Sequence, residues 1–158
     1  MGRNNITVKQ CLDAMVTKRA MATVVPDANL KKVVEAMVKG LRRRVVYVVD
    51  SEMRLQGYIT LKNLKDIVFS HFLSSKLEDA LVLSEENMEL FASEKAVQVM
   101  ESDVPFCHED DDLHKVLEWM MEADLLNVAV LDEQDHLTAD LDVLDLLEQW
   151  LLLGCEVF

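Results

Sequence analysis

The sequence predicts a mixed α/β (α+β) fold in which one strand–helix–strand–strand–helix unit is written twice. Two observations carry this. Leu30–Met37 (LKKVVEAM) aligns with Leu113–Met120 (LHKVLEWM) at a shift of 83, with five of eight positions identical. Val46–Asp50 (VYVVD) then aligns with Val128–Asp132 (VAVLD) at a shift of 82, as do Leu55 with Leu137 and Leu64 with Leu146. One deletion accounts for the change of shift. An ordered repeat of this kind marks a duplicated architecture before any single element is assigned.

Each element of the first copy follows from its residues. Thr23–Val25 is β-branched and extended, and Pro26 stops it because proline cannot serve a central strand. Asp27 or Asn29 caps the next helix. That helix, 30–39, places Leu30, Val33, Val34 and Met37 on one apolar face, and Gly40 ends it. Val45–Val49 reads as a buried strand. Asp50-Ser51-Glu52 is a polar turn. Leu55–Thr60 alternates Leu55, Gly57 and Ile59 against Gln56, Tyr58 and Thr60, as a half-buried strand does. A helix follows from Leu61 to about Phe72 with Leu64, Ile67 and Val68 inward, and Ser74-Ser75 breaks it.

The second copy reads alike. Val104–Cys107 is extended, and Asp110-Asp111-Asp112 caps a helix from Leu113 to Ala123. Asn127–Leu131 and Leu137–Leu141 are strands, the latter poorer. Val143–Leu153 is the closing helix. The expected division is a first repeat with its lead-in over 1–72, a connecting segment over 73–96 and a second repeat over 97–158. Ser84–Asn87 looks like a cap for a short helix through Leu90 and Phe91 in the connection.

Composition bounds the function. The chain has 158 residues, 51% hydrophobic and 28% charged, which suits one compact domain or two small ones sharing a core. Its apolar runs are far shorter than the roughly 18–20 residues of a membrane span. The N-terminus has no secretory apolar core, and Cys11, Cys107 and Cys155 lie far apart. A cytoplasmic, reducing location is therefore expected. Charge is segregated: residues 1–75 hold 13 Lys/Arg against 6 Asp/Glu, and residues 76–158 hold 3 against 23. The first half attracts an anion or the acidic half of another chain; solvated faces of unlike sign are the plainer reading. Nucleic acid is not an expected partner, because the acidic half opposes phosphate and the basic residues are not interleaved with aromatics.

The doubled pattern resembles a tandem cystathionine-β-synthase-type (CBS) domain pair, or Bateman module. The residues that carry the resemblance are Thr23–Leu30, Arg44–Asp50 and Gly57–Asn63, with Asp112–Glu118, Asn127–Asp132 and Leu144–Leu147 in the second copy. Val8–Met15 and Val97–Met100 resemble the lead-in segments of such domains. The resemblance implies two βαββα repeats packed with pseudo-twofold symmetry, clefts between them, and dimers. It also implies adenosine-type ligands (AMP, ADP, ATP or S-adenosylmethionine) and control of a partner enzyme, transporter or channel whose identity the sequence does not give.

In that family a Gly-x-x-Thr/Ser-x-x-Asp pattern closes the last strand and opens the last helix. Its match is Gly57, Thr60 and Asn63, with Asn in place of Asp. A helix N-terminus suits phosphate, and a hydroxyl there adds a directed bond. Asn63 gives up a charge-assisted bond, roughly twice as strong as a neutral one. Lys62, Arg43 and Arg44 are basic neighbours that would meet phosphate. By family position Thr23, Val24 and Val46 would line the adenine. The plainer alternative is that Thr60 only caps the helix and the basic cluster is solvated. In the second copy Ala139, Asp142 and Asp145 hold the three positions. An ionised Asp142 would repel a phosphate by about 4 kcal/mol at ~4 Å and an effective dielectric of ~20, so that copy is not expected to bind nucleotide phosphate.

Other signals are weaker. His108–His114 reads as a strand end and an acidic helix cap rather than a metal site. No nucleophile elbow, zinc helix or P-loop motif is present, so no enzyme and no resident cofactor or metal is expected. Trp119 stands where the first copy has Ala36. Leu146–Leu153 is apolar almost all round and requires cover, for which a homodimer is the expectation. The leading functional expectation is an adenosine-nucleotide sensor that signals to a partner; the alternative is a ligand-free dimerisation scaffold.

Overall fold

The computed structural model describes residues 5–15, 20–39, 44–74 and 93–153. Their elements are α1 (Val8–Asp13), β1 (Thr23–Val24), α2 (Leu30–Lys39), β2 (Val45–Val49), β3 (Leu55–Thr60), α3 (Leu61–Ser74), α4 (Ala96–Val99), β4 (Phe106–His108), α5 (Leu113–Glu122), β5 (Asn127–Leu131), β6 (Leu137–Asp142) and α6 (Val143–Leu153). Two three-stranded sheets result, ordered β1-β2-β3 and β4-β5-β6. The outer pairs β1–β2 and β4–β5 are parallel; the hairpins β2–β3 and β5–β6 are antiparallel.

The repeat is structural as well as sequential. Thr23 pairs with Tyr47 as Phe106 pairs with Ala129. Val45 faces Thr60 as Asn127 faces Asp142, and both hairpins bulge at the same step, Val48/Val49 and Val130/Leu131. The shift is 83 through α2 and α5 and 82 from β2 and β5 onward, so the deletion falls in the helix–strand connection. Both hairpin turns use one device. Asp50 Oδ1 accepts the N–H groups of Glu52 and Arg54, and Asp132 Oδ1 accepts those of Gln134 and His136. Those bonds, chiefly the one from His136, hold the Asp132 carboxyl below the usual carboxylate range. The left-handed residues Met53 and Asp135, both with φ 63°, stand at equivalent places.

Strand and helix bounds match expectation closely, since binary pattern and caps coincide. Asn29, not Asp27, caps α2 by accepting the Lys32 N–H at 3.0 Å. Asp112 caps α5 through the His114 N–H. β1 and β4 are shorter than, or displaced from, the expected runs: Val25 and Val104 lie outside them. Helix α3 runs two residues past Phe72. The C-terminal Gly40 of α2 and the expected helix around 84–91 fall outside the described residues.

In space, the compact units do not follow the sequential division at 72 and 97. Of the described residues, 20–39, 44–74 and 93–103 form one unit, and 5–15 with 104–153 form the other. The lead-ins are exchanged. Val8 N–H and Lys9 N–H donate to the Asp111 and Glu109 carbonyls, and Leu113 N–H donates to Ile6. The same three bonds recur in the other unit: Ala96 to Ala28, Val97 to Pro26, and Leu30 to Glu94. They satisfy N–H groups that the first turns of α1, α4, α2 and α5 leave without an intrahelical acceptor. Thr7 and Gln10 close a reciprocal capping box on α1. At the equivalent α4 start, Lys95 has no acceptor side chain, and only the bond from its N–H to Gln98 Oε1 remains.

Each unit has its own apolar core. One gathers Leu30, Val33, Met37, Val46, Val48, Ile59 and Leu64 with Ala96 from the lead-in. The other gathers Leu113, Val116, Met120, Val128, Val130, Leu141 and Leu146 with Val8 and Cys11. Gln149, buried on α6, donates from Nε2 to the Ala14 carbonyl at 2.8 Å and ties the lead-in to the closing helix.

Val8 is 0% exposed in the core of the second repeat's unit. Val8→Ala is therefore expected to cost about 2 kcal/mol. Amide exchange should accelerate in β5 and leave β2, the strand of its own repeat, unchanged.

Candidate functional site

Pleating divides the sequence-selected residues between two faces of the β1-β2-β3 sheet. Successive residues in a strand point to opposite sides. Val24, Val46, Val48 and Ile59 take the side packed into the core with α2 and α3. Thr23, Tyr47, Tyr58 and Thr60 share the other side. Val46 has no exposed surface, so it belongs to the core rather than to the lining of a ligand cleft, and Val24 packs on the same core. A ligand on the Thr60 side meets Thr23 and Tyr58 instead. Tyr58 was missed by sequence reasoning, although the alternation that places Thr60 also places Tyr58 two residues before it; Tyr47 on the same side is buried.

Thr60 ends β3 and starts α3. Its Oγ1 accepts the Asn63 N–H at 3.1 Å, a helix cap. The Leu61 N–H donates to the Arg44 carbonyl at 2.8 Å, which pins the basic Arg44 beside this helix start. Arg44 and Lys62 are exposed and Asn63 is half-buried. Arg43 lies outside the described residues. The structure thus brings Arg44, Thr60, Lys62 and Asn63 together around one N-terminus, with Thr23 on the same sheet face.

Gly57 has a different role from the one its motif suggests. It opposes Val48 on the core side. A Cβ there would lie 2.5 Å from Met100 Sδ and 2.7 Å from the Glu101 carbonyl oxygen. The close approach is made by the lead-in of the second repeat, which also exchanges backbone bonds of 2.9 Å between Tyr58 and Glu101 in both directions. Burial raises the Tyr58 phenol, and the Glu101 carboxylate raises it further, so the hydroxyl stays a hydrogen-bond donor.

The corresponding face of the second repeat carries Phe106, Ala129, Asp140 and Asp142 in place of Thr23, Tyr47, Tyr58 and Thr60. Asp142 Oδ1 accepts the Leu144 N–H at 2.8 Å, so a carboxylate caps α6 where a hydroxyl caps α3. Asn127 donates to Asp140 across the strands. Ala139 is half-buried and Asp145 buried. Two carboxylates at the strand end give this face the opposite electrostatic character.

A cavity of about 330 Å³ lies between β4 and α5, bordered by Phe106, Asp110, Asp112, Lys115 and Trp119. Two acids at this turn have structural duties: Asp111 accepts the His108 N–H and Asp112 caps α5. Among the described residues no group of His, Cys, Asp and Glu is arranged to hold a metal ion, and no helix is long and apolar enough to cross a membrane. Cys107, beneath this cavity, is buried, and burial followed by Asp111 pushes its thiol up to about 12. Burial raises Cys11 as well.

A duplicated βαββα module with exchanged lead-ins is the class these features define. Residues 8–70 match the CBS domain family, and the second half of the chain repeats the fold of that matched part. Solved structures of similar fold include a CBS domain-containing protein of unknown function from Bacillus anthracis, at 22% identity and TM-score 0.68, covering 90% of this chain and 91% of that one. A CBS domain-containing protein from Thermotoga maritima is 21% identical, with TM-score 0.65 and coverage of 92% and 94%. The CBS domain of a membrane protein from Sphaerobacter thermophilus is 20% identical, with TM-score 0.66 and coverage of 92% and 88%. No curated protein sequence matches the chain.

Two outcomes test this geometry. Gly57→Ala is expected to lose about 1–3 kcal/mol in urea unfolding, because the neighbours include backbone that cannot yield cheaply. Cys11 and Cys107 are expected to resist alkylation at pH 8 in the folded chain and to react once it is denatured, since the thiolate is the nucleophile.

Proposed function

We propose that this chain is a non-catalytic regulatory module that binds an adenosine nucleotide on the Thr60 face of its first repeat and reports occupancy to a partner protein. CBS-domain proteins are commonly regulatory, which is the coarse part of this reading. The observation that carries the finer part is the helix start at Thr60. A hydroxyl residue, two exposed basic residues (Arg44 and Lys62) and an asparagine (Asn63) belong to one strand-to-helix corner at the N-terminus of a 14-residue helix. The positive dipole end of the helix and basic side chains beside it are the combination that receives phosphate. The second repeat, with Asp142 at the equivalent position, is the anion-excluding copy. Transmission requires that the ligand favour one of two conformations by its differential affinity. The Sphaerobacter relative is by its description part of a membrane protein, which supports a partner of that general kind as one that such modules serve.

A second reading has its own support. Gly57 is taken up by Met100 and Glu101, and the Thr60 hydroxyl by the Asn63 N–H, so both motif residues have structural work without any ligand. On that reading the chain is a ligand-free dimerisation scaffold.

Thr60→Asp separates the two. Aspartate keeps the helix cap, as Asp142 does in the second repeat, but places a negative charge at the phosphate position. The unmodified chain should gain thermal stability with AMP, ADP or ATP, about 2.7 kcal/mol at 100-fold excess over Kd. The variant should fold normally and gain none. A chain that responds to no adenosine nucleotide, S-adenosylmethionine included, is the scaffold.

A further inference from the structure

We infer that the groove between β4 and α5 of the second repeat docks an extended, basic segment of a partner protein, which lies along the open edge of β4 and seats one bulky apolar side chain between Phe106 and Trp119. Strand β4 is an edge strand, paired with β5 alone among the described residues. The Pro105 carbonyl accepts the Ala129 N–H, and the Glu109 N–H donates to the Leu131 carbonyl, so the odd-numbered residues turn their backbone groups toward β5. Phe106 and His108 turn theirs to the open edge. His108 uses both on the turn that follows: its N–H donates to the Asp111 carboxylate at 2.8 Å, and its carbonyl accepts the Asp111 N–H at 3.1 Å. The Phe106 N–H and C=O make no backbone bond among the described residues. Such edge groups bind an added strand, and pockets beside the edge choose which strand.

The cavity of about 330 Å³ is the pocket beside this edge. Its walls include Phe106, 48% exposed, and Trp119, 37% exposed, where the first repeat has Thr23 and Ala36. The Phe106 ring is braced edge-to-face by His108, with centroids 5.7 Å apart, and His108 is itself held by Asp135 at 3.1 Å. Exposed aromatics walling a half-open cavity are the kind of anchor that carries binding energy at interfaces. Charge sets the sign of the occupant. Asp110, Asp111 and Asp112 border the cavity against Lys115, and Glu122 follows Trp119 by one turn of α5. The first repeat has Ala28 in place of Asp111 and Lys39 in place of Glu122. The second copy therefore carries two more aromatics and two more acids around one groove, while Val33 and Val116 keep the core beneath it the same. A basic segment is the complement of such a rim. This surface gives the partner of the proposed regulatory module a place to bind, and it requires no nucleotide.

The probe is a capped peptide alternating Arg and Val around one central Leu, with a Glu-for-Arg peptide as its control, both added to the full chain without nucleotide. Amide NMR should show the Arg peptide shifting the Phe106 N–H and the Trp119 indole, with a Kd below about 1 mM. The Glu peptide should not bind. Phe106→Thr with Trp119→Ala installs the residues of the first repeat, should leave the β5 and β6 amide signals in place, and should weaken the Arg peptide at least about tenfold. Asp110→Lys, at an exposed turn position, should weaken it as well, and more at low salt than at high. No binding of the Arg peptide, equal binding of the Glu peptide, shifts confined to residues away from β4 and α5, or unchanged affinity in both variants overturns the proposal. A chain that binds the Arg peptide but no adenosine nucleotide keeps this surface and loses the sensor reading.

Discussion

The exchange of lead-ins is the constraint on which the rest of this molecule depends. A three-stranded sheet with two helices has too little apolar surface to close its own core, and the first turns of its helices leave N–H groups without acceptors. The segments 5–15 and 93–103 supply both needs, each for the repeat it does not precede. Val8 and Ala96 complete the two cores, and the Ile6 and Glu94 carbonyls receive the first amides of α5 and α2. The same exchange explains Gly57: the chain passes too close to β3 for a side chain at that point.

Duplication gave both repeats one scaffold, and divergence is concentrated at one edge of it. Core positions hold their character from copy to copy: Leu30 and Leu113, Val33 and Val116, Met37 and Met120. The hairpin turns keep their aspartate and their left-handed residue. The strand-end face does not. Hydroxyl and phenol groups in one copy become carboxylates and an alanine in the other. A packed interior tolerates few volumes, whereas a strand end tolerates any side chain that caps the next helix.

The fold was legible because period, caps and breakers agreed along most of the chain, and β2, β3, β5, α2 and α6 begin and end where the pattern says. The lead-in exchange was not legible, since nothing in a local pattern records which of two similar repeats a segment will join. The candidate site was half legible. Arg44, Thr60, Lys62 and Asn63 do come together, because they sit within one strand-to-helix corner. Val24 and Val46 were misplaced, because position along a strand was read without asking which face it presents. Tyr58 emerges only when that question is put to the register.

The crossed lead-ins also govern how force and fusion act on the chain. A domain attached ahead of residue 5 would be neighbour in sequence to the first repeat but would be anchored, through Val8 and its backbone bonds, in the second. Pulling on such a tether strains the unit of the second repeat, and cutting the chain after α3 would strand each half with the other's missing piece.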